Sequence, residues 1–432
     1  MRLRDFSSRM TILGFTAALA VLLICASSSA QRPPAANYDE SKVGTYTLPN
    51  PLVFQDGKPV KNASDWVKRR VEILKLFEDD VYGHSPRPPK NIRYKVFDEA
   101  QRALGGKAVR KQVTIYFSPS KDTPREDLLL YIPTGVPRPV PVILSLNFRG
   151  NQAVTKDPGV KLAMLWDAKT HKQIRATEQS RGSDSTYDVA KVLAHGYGFA
   201  TIYYQDIEPD FAGGWRYGIQ PLFFKPGQTS PAPEDWGAIG AWAYGLSRAM
   251  DYLEKDKDVD AKRVAVMGHS RLGKTALWAG AQDTRFALVI ANCPGEGGAS
   301  LMRRNYGETI PSMMIHFPFW FCGNLKKYTD QINHLPVDAH ELIALEAPRP
   351  VYVTGAEGDQ WADPRGEFLA EVAAGPVYQL LGAEGPGTDR MPALNHPIQH
   401  TLAFHIRDGV HTVTEYDWDQ FLKFADAQLR AK

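Results

Sequence analysis

A serine stands at Ser270 in "GHSRLGK" (268–274), directly after the apolar run "RVAVM" and directly before "TALWAG". A strand-like run, a tight turn and a helix-like run make the setting of a nucleophilic serine. A serine hydroxyl attacks poorly until an imidazole takes its proton and a carboxylate orients that imidazole. The spacing here is unusual. The common G-x-S-x-G elbow carries its second glycine two residues after the serine, whereas Leu272 holds that place and Gly273 follows one later. An arginine, Arg271, comes immediately after the serine. A glycine-serine turn ahead of a helix can also be a simple cap, so the assignment depends on its partners.

Partners follow in the chain order serine, acid, histidine. The stretch "VYVTGAEGDQWADP" (351–364) offers Glu357, Asp359 and Asp363 after an apolar run. Asp359 is the preferred acid because it lies beyond the strand end, ahead of a Pro-containing turn. Its ordinary alternative is a helix cap, and Glu296 in "CPGEGG" is a competing acid. His396, His400, His405 and His411 all follow. His411 in "HIRDGVHTVTEYDW" (405–418) occupies a turn after an apolar segment and is the preferred base, while His405 falls inside that segment and reads as structural. No H-E-x-x-H or similar ligand cluster occurs, so neither a metal nor another cofactor is expected. Arg271 suits a developing oxyanion, because a cation in the first turn of a helix opposes the helix dipole and needs a specific task there.

These residues need a scaffold. Apolar β-type runs stand at 111–117, 127–133, 140–148, 197–207, 263–270, 286–293 and 349–359, and runs that are apolar throughout rather than alternating predict strands buried on both faces. Helical stretches between them, clearest at 235–256 and 274–283, predict an α/β fold around a largely parallel sheet, with the early runs pairing antiparallel. Upstream, "DWVKRRVEILKLFEDDVYG" predicts a helix with Val67, Val71, Leu74 and Phe77 on its apolar face and Gly83 at its end. Residues 31–105 are read as an N-terminal extension packing on a catalytic domain at 106–432. That domain carries a polar insertion at about 151–190, of the kind that forms functional loops or lids.

The first thirty residues read as a cleaved secretory leader: basic "MRLRDFSSR", apolar "MTILGFTAALAVLLICA" and small "SSSA". A membrane anchor and, through Cys25, a lipoprotein are the alternatives. The expected product is a secreted or periplasmic monomer. A formal net charge of +3, which falls to +1 without Arg2, Arg4, Arg9 and Asp5 of the leader, gives no electrostatic case for nucleic acid or a membrane surface. Cys293 and Cys322 remain after cleavage, and in an oxidising compartment they are expected to bridge rather than stay as free thiols.

Together "GHSRLGK", "GEGGASLMRRNYGET", "GAEGDQWADP" and the "DGVH" turn resemble the glucuronoyl esterases of carbohydrate esterase family 15, over most of the chain. The resemblance implies an α/β-hydrolase fold, a three-layer αβα sandwich. It implies that Arg271 stabilises the oxyanion and that Lys274, Glu308 and Trp361 contact a glucuronic acid unit. Lys274 lies one helical turn from Ser270, with a solvated lysine as its bland alternative, and Trp361 offers a flat face to a sugar ring or to the core. The chain departs from the family pattern in places. Cys293 occupies a slot where many members carry the catalytic glutamate, which leaves Asp359 as the acid. His269 and Thr412 stand where a family disulfide would be, and Gln152 replaces a frequent histidine. The expected activity is hydrolysis of (4-O-methyl-)glucuronoyl esters, with lignin–glucuronoxylan links as substrate. Another acyl ester, such as acetylated xylan, is the alternative, and a non-catalytic carbohydrate-binding protein is a third.

Overall fold

A computed structural model of the chain describes residues 36–89, 92–119, 122–167 and 169–430. The leader expected at 1–30, Cys25 included, lies outside these residues. Four strands come first: β1 (Arg93–Ala103), β2 (Ala108–Tyr116), β3 (Arg125–Pro133) and β4 (Val140–Asn147). β5 (Met164–Asp167) and β6 (Lys172–Arg175) form a separate antiparallel hairpin. β7 (Gly198–Tyr203), β8 (Val259–His269), β9 (Leu288–Asn292), β10 (Val351–Ala356), β11 (Ile398–Gln399) and β12 (Leu402–Arg407) complete the main sheet. Its order is β1-β2-β3-β7-β4-β8-β9-β10-β12-β11. The pairs from β7 through β12 are parallel, and those among β1, β2, β3 and β7 are antiparallel.

The strands β4, β7, β9, β10 and β12 are buried at every position because both faces are covered, and their side chains divide with a period of two. On β4, Val142, Leu144 and Leu146 enter one core while Ile143 enters the other. On β8, Val264 and Val266 face the first core and Ala265 and Met267 the second. The first core is roofed by α1 (Ala63–Phe77), with α4 (Ala238–Leu253), α5 (Arg271–Gln282), α7 (Ala339–Ala344) and α8 (Pro364–Leu380). The second is covered by α2 (Val189–Ala194) and α9 (Glu415–Ala425). Two short helices, α3 (Tyr204–Ile207) and α6 (Ile310–His316), lie in the loops. This is a three-layer αβα sandwich on a mostly parallel sheet.

Two expectations need correction. The upstream helix forms, but Val67 and Val71 are 64% and 62% exposed, and the buried face is Trp66, Arg69, Ile73 and Phe77. The face is rotated because Trp66 anchors it and because a charged residue joins it: Arg69 is sheltered by an ion pair with buried Glu341 at 3.2 Å. The Cys293–Cys322 bridge is absent, and both residues are buried free thiols. They belong to different neighbourhoods. Cys293 follows β9, its amide bonded to the Thr354 carbonyl, whereas the Cys322 amide bonds to the Val81 carbonyl of the N-terminal segment.

The segment read as an N-terminal extension also supplies β1, the edge strand paired to β2. Beyond it, Tyr82 stacks on Trp278 of α5 at 4.4 Å and donates its hydroxyl to the Gly297 carbonyl. The parallel strands end on one rim, so the turns after β8, β9, β10 and β12 are neighbours there.

Candidate active site

The serine turn is built by sterics. β8 ends at His269, Ser270 adopts φ 57 and ψ −133, and α5 begins at Arg271. A non-glycine residue in this left-handed region is costly and needs surrounding structure to hold it. The Ser270 amide donates to the Asn292 carbonyl at 2.9 Å, and its own carbonyl accepts the amides of Gly273 and Lys274. A Cβ on residue 268 would fall 1.9 Å from the Leu272 carbonyl oxygen, so Gly268 is obligatory. A Cβ on Gly273 would meet its nearest neighbours, including the Asn292 carbonyl, at 3.3 Å. The displaced second glycine is therefore a looser requirement than the first.

His411 stands in the loop after β12, with Nδ1 2.5 Å from Asp359 Oδ2. Asp359 lies just beyond β10 and is 6% exposed. Nδ1 donates to the carboxylate, which leaves Nε2 as an acceptor. The two loops are joined by backbone bonds from Glu357 to the Arg407 carbonyl and from Gly358 to the Gly409 carbonyl. Below them Arg407 donates to the carbonyls of Asp408, Val410 and Thr412, and to the carboxylate of buried Asp417. The His269 ring packs 4.6 Å from the His411 ring and bonds Asn292 Oδ1 at 2.7 Å. Burial, with the His411 charge adding, lowers the His269 imidazole to about 4, so it is a neutral wall.

The other candidates fall elsewhere. Glu296 is buried and accepts the Ile310 amide, and burial raises its carboxyl well above the usual range. His405 is fixed in β12 between Asp417 and the Tyr352 hydroxyl. Asp363 caps α8. Gln152 is a buried tie between the Arg149 carbonyl and the Ala163 amide. Cys293 is 1% exposed, with its thiol pushed up by burial. Ligand-capable atoms of Cys293, Asp359 and His411 lie within 4.8 Å of one another, the imidazole and carboxylate being bonded directly to each other.

Ser270, Arg271, Lys274, Glu308, Trp361 and His411 all line one cavity of about 300 Å3. A second cavity of about 370 Å3 shares Ser270, Arg271 and His411 and is walled by Phe148, His269, Thr412 and the 183–186 loop. Lys274 is not solvated. Its ammonium is buried and donates to the Pro294 carbonyl at 2.8 Å and to Glu308 at 3.0 Å. The Glu308 amide in turn bonds the Trp361 carbonyl, and Trp361 is 39% exposed.

The surroundings of Arg271 were not legible in advance. Its guanidinium lies over Phe148 at 4.9 Å, Trp320 at 5.5 Å and Tyr204 at 5.7 Å. Nε stands 2.7 Å from Asp210 Oδ2. Asp210 also accepts from the Tyr204 hydroxyl and from the Trp320 indole. An aromatic cage with one carboxylate fixes the cation and strengthens it by excluding water. Asp210, Tyr204, Trp320 and Arg407 come from distant segments, and no local motif marks them.

Residues 230–382 match a family model described as glucuronyl esterase of fungi. A solved glucuronoyl esterase from Solibacter usitatus is 56% identical, with a TM-score of 0.88 over 90% of this chain and 100% of that one. A carbohydrate esterase, MZ0003, from an unknown prokaryotic organism is 48% identical over 407 residues, 92% of this chain and 93% of its own. A 4-O-methyl-glucuronoyl methylesterase of Phanerochaete chrysosporium is 28% identical over 345 residues, and the match spans 62% of that relative's length. A further solved structure at 48% identity and a TM-score of 0.84 is described as a promiscuous esterase of family CE15 from a marine bacterial metagenome.

Proposed function

The chain belongs to the glucuronoyl esterases of carbohydrate esterase family 15, and on that premise we propose that Ser270, His411 and Asp359 form its catalytic triad. The observation that carries this reading is the strained Ser270 turn opening onto the same cavity as the Asp359-bound His411. His411 Nε2 takes the hydroxyl proton as Ser270 attacks the ester carbonyl, and later gives it to the departing alcohol. Asp359 holds the imidazole tautomer and stabilises its charged form. The oxyanion is received by the first-turn amide of α5 and by the caged Arg271 guanidinium. Water then hydrolyses the acyl-enzyme by the same route in reverse.

The acyl unit is a glucuronoyl, or 4-O-methyl-glucuronoyl, group in the cavity of Lys274, Glu308 and Trp361. The buried Lys274–Glu308 pair presents fixed polar groups to sugar hydroxyls, and the exposed Trp361 face stacks on the ring. The second cavity takes the alcohol, a lignin fragment if the enzyme is exported to plant cell wall material. Export through the leader at 1–30 is part of the same proposal. A second reading, hydrolysis of other acyl esters such as acetylated xylan, is favoured by the promiscuous esterase among the relatives. The test is hydrolysis of benzyl glucuronate beside an acetyl ester, by the wild type and by Ser270→Ala. Turnover of the glucuronate that vanishes in the variant is expected. Acetyl-only turnover would establish the second reading, and turnover of neither would leave a binding protein.

A further inference from the structure

The β5–β6 hairpin encloses a separate cleft of about 370 Å3 against β2, β3 and the end of β7. It opens on the rim that carries Ser270, because Tyr203 at the C-terminal end of β7 lines it. From β8 the sheet passes through β4 and β7 to β3, three strand spacings, about 14 Å. The cleft is therefore close enough to be reached by a short oligosaccharide whose uronoyl unit sits at Ser270.

Its lining has two parts. Trp166 on β5 stands 5.0 Å from Tyr217 and 5.6 Å from Phe211, and Tyr217 is 53% exposed. The Trp166 amide is pinned to the Tyr203 hydroxyl, so the platform is fixed to the sheet. Opposite Trp166 on the hairpin is Gln173, and Gln205, Asp206 and the Lys161–Asp127 pair complete the polar side. Burial raises the Asp206 carboxyl to about 8, so at neutral pH it is an uncharged donor and acceptor. Aryl faces take the C–H faces of sugar rings, while amides and carboxyls take hydroxyls. A lipid or an aromatic alcohol would leave the polar side unpaired.

We propose that this cleft is a binding subsite for the neutral sugar backbone that carries the esterified uronic acid, a xylan-type chain, with Trp166 and Tyr217 as its stacking platform. The proposal rests on the reading of the Ser270 cavity as the uronoyl site. It assigns a purpose to the insertion at 151–190, which supplies the hairpin.

The test compares wild type, Trp166→Ala and Tyr217→Ala on benzyl glucuronate and on a xylo-oligosaccharide bearing methyl-esterified glucuronic acid. Xylohexaose is also titrated calorimetrically into each protein. Loss of one stacking ring is expected to lower kcat/KM for the oligosaccharide ester by about fivefold or more, through KM. Benzyl glucuronate should change by less than about twofold, and xylohexaose binding should weaken in parallel with the oligosaccharide KM. Equal effects on both esters, or undiminished xylohexaose binding in both variants, would overturn the proposal. Failure of the wild type on benzyl glucuronate would instead sink the uronoyl reading, and the xylohexaose titration would still decide the cleft. Tyr217, more than half exposed, is the variant least able to disturb the fold.

Discussion

At the scale of single residues, the carboxylate on His411 is the sharpest point to test. Asp359→Asn keeps the shape of the site but presents an amide to Nδ1, which no longer enforces the required tautomer. A loss in kcat of about 10,000-fold is expected, with KM little changed. Steady-state kinetics on benzyl glucuronate measure it, and near-normal activity alongside an inactive Glu296→Gln would move the role to Glu296. Cys293 extends the argument, since its sulfur lies within 4.8 Å of the acid and imidazole atoms. Glu placed there in an Asp359→Ala background should recover at least about tenfold over the single variant, because the longer carboxylate reaches the same imidazole. That Ser270, Asp359 and His411 each stand in a turn beyond a strand was legible because each sits in a local pattern of strand and turn. The environment of Arg271 was not, since Asp210, Tyr204 and Trp320 are assembled from remote loops and each looks ordinary in its own segment. The bridge between Cys293 and Cys322 failed as an expectation for the same reason, because chain position says nothing about proximity.

At the scale of elements, glycine geometry and helix faces turn sequence patterns into numbers. In the serine turn the two glycines should not behave alike. Gly268→Ala would drive a methyl group into the Leu272 carbonyl, so lost expression or a collapse of thermal stability is expected, with no esterase activity. Gly273→Ala meets its neighbours at 3.3 Å and should fold, with reduced kcat from a shifted Ser270. Equal tolerance of both substitutions would show that the turn is wider than the structure has it. On α1 the distinction runs between faces. Val71→Lys should alter stability by no more than about 0.5 kcal/mol, while Ile73→Ala, at a fully buried position, should cost about 2–5 kcal/mol in urea unfolding. The apolar spacing of this helix was legible as a helix, but its orientation was not. A period near 3.6 leaves neighbouring stripes close in angle, and the choice between them was made by Trp66 and by the partner that Arg69 finds on α7. The sheet itself was more readable. Runs without alternation announced two covered faces, whereas β1, buried only at Ala103, and the β5–β6 hairpin, buried nowhere, carried no such signal.

At the scale of the whole molecule, buried ionisable groups set how stability depends on pH, and two of them act in opposite senses. Glu208 is 1% exposed, and its Oε1 accepts from the Gln220 side-chain amide. Burial raises its carboxyl to about 8. The folded protein keeps that proton while the unfolded chain releases it above about pH 4.3. The stability this group contributes is therefore fully present below that pH and is lost as the pH rises through 8. His269, lowered to about 4 by burial, works the other way. Its contribution is present above about pH 6.5, the unfolded value, and is lost as the pH falls through 4. Between about pH 4.3 and 6.5 the two slopes oppose one another and nearly cancel, and above 6.5 the loss from Glu208 is unopposed and is joined by that from Asp206, which burial also raises to about 8. Glu208→Gln removes one titrating proton while keeping an uncharged hydrogen-bonding group in the same space. Between pH 6 and 8 its unfolding free energy should lose about 1.4 kcal/mol per pH unit less than that of the wild type. Urea unfolding at pH 5, 6.5 and 8 distinguishes the cases. Parallel wild-type and variant profiles would mean that Glu208 is ionised in the fold and that the alkaline limb has another source.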